Sequence, residues 1–159
     1  MKRYLFYFIF VTVFLNCKNE NLPLDVLKDF SSEKVIGKWV NMWNSYDLSM
    51  VDTLFVADET VTYFSSEREG LISGIDSLRK HHSGFGFVPG GKKQENRLYV
   101  EDINVSLFGN TPILTGIWYF EKPGQKVEEI QKGPFTAVYV KKEGRYRIAH
   151  MHFANYIKE

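Results

Sequence analysis

The chain has 159 residues, a single domain's worth, and its 44% hydrophobic and 25% charged content excludes extended disorder. Twenty Lys and Arg stand against 19 Asp and Glu, a net charge of +1 that gives a nucleic acid no electrostatic reason to bind. A single cysteine excludes an internal disulfide framework and a multi-cysteine zinc site.

Lys2 and Arg3 open the chain, and Tyr4 to Leu15 is apolar apart from Thr12. About a dozen apolar residues are too few to span a bilayer core of roughly 30 Å, and they match the apolar region of a secretory signal. Cys17 lies just beyond, followed by the polar run Lys18-Asn19-Glu20-Asn21 and then Pro23. The pattern resembles a bacterial lipoprotein signal, in which the cysteine is lipidated and becomes the first mature residue. It predicts a signal peptide over 1–17, a linker over 18–24 and one domain over 25–159. The expected location is the bacterial cell envelope, exported and lipid-anchored at Cys17. An ordinary cleaved signal, giving a secreted or periplasmic soluble protein, and an uncleaved anchor are the alternatives.

The linker gives way to helical spacing at Leu24. Val35, Ile36, Trp39, Val40 and Trp43 share one stripe at steps of three and four, with Ser31-Ser32-Glu33 as an inner cap. Tyr46-Asp47 ends this helix, and a short second helix is expected over Ser49 to Phe55. Asp58-Glu59 turns the chain into a strand over Thr60 to Ser65, rich in β-branched and aromatic residues. Glu67 to Gly70 reads as a turn, and Ile75 to His82 as a third helix. Ser83 to Lys93 is a Gly-rich loop without P-loop spacing, hence a lid or a connector. Strands follow over Arg97 to Phe108 and Thr111 to Glu121, with a charged hairpin loop from Pro123 to Lys132. Phe135 to Lys141 and Arg145 to Tyr156 form a closing hairpin around Glu143-Gly144. The order gives an α+β fold, helices covering one face of a curved, mainly antiparallel sheet.

Several of these segments are similar to a known family. Trp43-Asn44-Ser45-Tyr46-Asp47-Leu48 with Leu54-Phe55-Val56-Ala57-Asp58 resembles the first helical pair of SnoaL-like proteins. Gly74 to Arg79 resembles their third-helix opening, and Phe135 to Lys141 with Tyr146 to His152 resembles their closing hairpin. The resemblance runs from Val26 to Tyr156. It implies the cone-shaped nuclear transport factor 2-like (cystatin-like) fold, a ligand cavity between helices and sheet, and a homodimer through the outer sheet face. Members of that superfamily include isomerases, cyclases, dehydratases, binding domains and oligomerisation modules. In its steroid-isomerase branch a catalytic Asp follows an Ala-Asp-Asp turn. Here the turn is Ala57-Asp58-Glu59 and Tyr63-Phe64 occupies that strand, which argues against this mechanism.

Alternation along the closing strand groups Tyr146, Ile148, His150 and His152 on one face, and the resemblance turns that face to the cavity. Trp39, Trp43, Tyr63 and Trp118 complete an expected aromatic pocket, with Tyr146, His150 and His152 as further ligand-binding residues. The opposite set, Ala137, Tyr139, Ala149 and Met151, becomes the outer face. Three readings of His150 and His152 compete: general acid–base or anchoring groups, two ligands of a metal, or structural imidazoles. Spacing supplies no third metal ligand, so no metal or cofactor is assigned. His81 and His82 are adjacent on a helix, roughly 100° apart, and cannot act as one pair. Three functions are therefore weighed. The first is a lipid-anchored binder of a small, mostly apolar molecule. The second is a SnoaL-like proton-transfer enzyme using His150 or His152. The third is a non-catalytic homo-oligomerisation module.

Overall fold

The structure is a computed structural model and describes residues 29–157. The expected signal peptide, Cys17 and the linker lie outside the described residues. Helix α1 spans Ser32–Ser45 and is capped by Ser31, whose hydroxyl accepts the Lys34 N–H at 3.3 Å. It ends at Tyr46, which takes the left-handed conformation at φ 52° and donates its N–H to Met42. Ile36, Trp39 and Met42 form its buried stripe. Helix α2, Ser49–Leu54, follows at a corner held by Asp47, whose carboxylate accepts the N–H groups of Ser49 and Gly90.

Strands β1 (Thr62–Ser65) and β2 (Arg68–Ser73) form a hairpin, and helix α3 (Ile75–Gly84) returns over it. The segment read as a turn is thus the start of a strand. Of β2 only Ile72 is buried, so the sequence carries no strand-like alternation there. The Gly-rich stretch is a fastened connector: Val88 pairs with Asp47, and Lys92 donates its N–H to the Ser45 carbonyl at 2.8 Å. A Cβ on Gly91 would come within 2.7 Å of that same carbonyl, so only glycine fits the crossing.

Four long strands complete the domain: β3 (Arg97–Phe108), β4 (Thr111–Glu121), β5 (Gln131–Lys142) and β6 (Arg145–Phe153). The charged hairpin loop is shorter than expected, since β5 begins at Gln131. The six strands make one sheet in the order β2-β1-β6-β5-β4-β3, antiparallel except for the β1–β6 pair. A bulge sets Asp102 and Ile103 against Gly116, with Asp102 at φ 53°, and bends β3 over β4. Helices α1 to α3 and the six-stranded sheet of the described residues match the expected α+β architecture.

A second bulge overturns one expectation. Val138 pairs with His150 but Tyr139 pairs with Ile148, so Ala149 is the extra residue. The alternation of β6 therefore breaks there. Ile148, Met151 and Phe153 face the core with Phe135, Ala137 and Tyr139, all buried. The faces inferred from unbroken alternation are reversed: Ala137, Tyr139 and Met151 are core, not outer surface.

Candidate functional site

The core leaves a cavity of about 310 Å³ between α1 and the sheet. Trp39 and Trp43, four apart on α1, form its helical wall. Tyr63 of β1, Leu98 of β3, Trp118 and Phe120 of β4 and Phe153 of β6 form the sheet wall. Phe85, just past α3, closes one side. The exposed Glu67 and Lys122, with Ser65, Ser66 and Gln131, mark its mouth.

The rings are fixed by each other. Trp39 stacks on Phe153 at 5.1 Å and on Phe135 at 6.2 Å between centroids. Trp43 meets Phe87 edge-on at 5.0 Å, and Tyr63 lies 5.6 Å from Phe153. The helix is held at its height by Asn44, whose amide pairs with Leu98 as a strand would. It donates to the Leu98 carbonyl at 2.9 Å and accepts the Leu98 N–H at 2.7 Å.

The polar groups are few. Trp118 donates its indole N–H to the Ala154 carbonyl at 3.1 Å. The indole N–H groups of Trp39 and Trp43 are buried with no acceptor. Glu67 at the mouth accepts from the Gln131 amide. No salt bridge or hydrogen bond engages the Lys122 ammonium among the described residues. Burial pushes the Tyr63 hydroxyl far above the usual phenol range, so it stays protonated.

Behind this wall sits His82, fully buried among Trp43, Phe55, Tyr63 and Phe87. Its Nδ1 lies 2.9 Å from the Leu78 carbonyl. A carbonyl only accepts, so Nδ1 carries the proton and Nε2 is a bare lone pair, without a partner. Burial pushes its pKa down to about 4, opposed by that hydrogen bond. His81 is half-buried beside Tyr63 and Phe85, with its pKa lowered first by burial and then by Arg68. His82 was not selected from the sequence, although Ile75, Leu78 and His82 at steps of three and four carry the signal of a buried stripe.

Of the expected pocket residues, Trp39, Trp43, Tyr63 and Trp118 line the cavity. Tyr146, His150 and His152 do not. Tyr146 packs on Phe30 at 4.9 Å and lines a separate groove of about 400 Å³ with Tyr139 and Lys34. His150 and His152 stand on the opposite sheet face because the Ala149 bulge turns them outward. There His150 Nδ1 lies 2.8 Å from the Thr62 hydroxyl, and Phe64 packs against both imidazoles. Partial burial lowers the His150 pKa, and His152 lowers it further. Phe85, Leu98, Phe120 and Phe153 were missed as cavity residues.

No family model matches the chain, and no curated protein matches it. Solved structures do. A nuclear transport factor 2-like superfamily protein from Salmonella enterica aligns at TM-score 0.63 and 18% identity, over 79% of this chain and 88% of its own. A candidate ketosteroid isomerase from Parabacteroides distasonis aligns at TM-score 0.63 and 20% identity, over 87% and 93%. The association domain of the Caenorhabditis elegans kinase CaMKII aligns at TM-score 0.60 and 20% identity, over 76% and 90%. The chain thus has the nuclear transport factor 2-like, cystatin-like fold.

Proposed function

We propose that the protein is an exported binding protein, lipid-anchored at Cys17, that holds a small, mostly apolar molecule in the cavity under α1. The observation that carries this reading is the cavity itself: about 310 Å³, walled by three tryptophans, and with its charged side chains Glu67 and Lys122 at the mouth. Such a wall favours flat apolar bodies and offers no acid–base pair at its depth. The proton-transfer reading that used His150 or His152 loses its geometry, because both stand on the other face of the sheet. The binding test is mass spectrometry of the native protein and of its organic-solvent extract. A small apolar molecule retained in one-to-one ratio is expected. A protein that carries none and takes up none from a library of flat apolar compounds would end this reading.

The anchor is tested separately. Cells fed a labelled fatty acid should label the wild-type protein and not Cys17→Ser, and label retained in Cys17→Ser would remove lipidation at that residue.

Self-association has its own support. On the outer face Phe64 is 39% exposed between His150 and His152, and Thr62 lies beside them. The CaMKII association domain, named for assembly, shares the fold. A homodimer through this face is the corresponding reading, with a partner copy over Phe64.

A further inference from the structure

Resting on the self-association reading above, we infer that two copies meet with His150 and His152 covered and uncharged, so that the dimer holds at neutral pH and parts in mild acid. Residues paired across neighbouring strands share a face of the sheet. Pairing puts Thr62, His150, Val138 and Ile113 in one row of the outer face, across β1, β6, β5 and β4. The next row is Phe64, His152, Thr136 and Thr115. Their chain neighbours Tyr63, Met151, Ala137 and Leu114 are buried on the inner face.

Charged residues make up 25% of the chain, yet these two rows hold no Asp, Glu, Lys or Arg. A two-fold contact lays a face against a copy of itself, so like meets like. A face with charge of one sign repels its own copy, whereas this one is neutral while its imidazoles are neutral. Phe64, with Leu71 on the adjoining edge strand, supplies exposed apolar surface to bury.

The two imidazoles are the titratable side chains of both rows, and two copies bring four of them together. Thr62, Phe64 and Val138 lie against His150, and Phe64 and Thr136 against His152. No carboxylate among the described residues pairs with either ring. Charges return further along the face, with Glu101 opposite Ile117 and Lys132 opposite Tyr119. Glu69 stands on β2, and Arg147 is held by Glu143 and the Asp52 carbonyl. Partial burial lowers the His150 pKa and His152 lowers it further, and a covering copy strengthens both causes. The separated chains therefore bind protons more readily than the dimer, and acid draws the equilibrium toward them.

Sedimentation velocity of the purified protein at pH 7.5 and pH 5.5 tests this. A dimer is expected at pH 7.5, with association weakened at least about tenfold at pH 5.5. His150→Asn with His152→Gln keeps polar groups of similar shape that take no charge, so that double variant should stay dimeric at pH 5.5. A second readout needs no variant. Diethyl pyrocarbonate at pH 7.5, with its adducts located by mass spectrometry, should spare both imidazoles in the dimer and reach them on dilution to monomer. Equal association at the two pH values, or an acid release that persists in the double variant, overturns this inference and leaves the dimer standing. Imidazoles labelled alike in dimer and monomer place the contact on another face, and a chain monomeric at pH 7.5 has no dimer to regulate; either outcome removes both readings.

Discussion

The most confined ionisable group is His82, and its consequence belongs to the single residue. Its pKa is about 4 in the folded chain against 6.5 when unconstrained. The unfolded chain therefore binds the extra proton first as pH falls. Stability from this residue is complete above pH 6.5 and is lost progressively between pH 6.5 and 4, by up to about 3 kcal/mol. Urea unfolding at pH 7 and pH 4.5 should show that loss, and His82→Leu should flatten it. A Leu variant with the wild-type slope would place the acid sensitivity elsewhere. Trp39 is also fully buried, packed against Phe135 and Phe153. Trp39→Ala should cost about 3–5 kcal/mol by calorimetric unfolding. Single residues were legible in the sequence where helical spacing decided them, as for Trp39 and Trp43. His82 sits on just such a stripe, but its neighbour His81 and its polarity hid it, since a buried neutral imidazole looks like a surface one in sequence.

At the scale of elements, long periodic segments were readable and local exceptions were not. The helices and the four long strands followed from apolar spacing. Strand β2 did not, because five of its six residues are exposed and it is held by backbone pairing to β1. The bulges at Asp102 and Ala149 were invisible for a physical reason. A bulge at Ala149 costs no hydrophobic pattern of its own, yet it reverses the parity of every residue beyond it. That single residue accounts for the exchange of His150 and His152 for Met151 and Phe153 at the core. Two connections between elements can be tested directly. Asn44→Ala removes both bonds from α1 to Leu98 and should cost about 1–3 kcal/mol in urea unfolding. Gly133→Ala should cost more, because its Cβ would fall 1.8 Å from the Ala154 carbonyl, a backbone atom that no rotamer can move. A Gly133→Ala protein as stable as wild type would show that the strand end of β6 shifts freely.

At the scale of the whole molecule, the two faces of the sheet divide the work. One face carries the tryptophan cavity, and the other presents Thr62, Phe64, His150 and His152. Replacing Phe64 with Asp should therefore separate a dimer, read by sedimentation velocity, without weakening uptake of a flat apolar compound by the cavity. Loss of both together would show that the faces are not independent. The fold class was readable from the order of elements, but its use was not, because nothing in the sequence pattern says which face of a bulged sheet is inside.

The parallel pairing of β1 with β6 has a consequence in time. Thr62 meets His150 across 88 positions of sequence, and the hairpin of β1 and β2 has no other strand to join. A chain still emerging from the ribosome holds one edge of its sheet open until residue 153 has been made. Contacts so distant along the chain form late. For a protein that the proposed leader would thread through a membrane unfolded, that delay keeps the chain passable. The last strand to be made would then be the one that locks the fold on the far side.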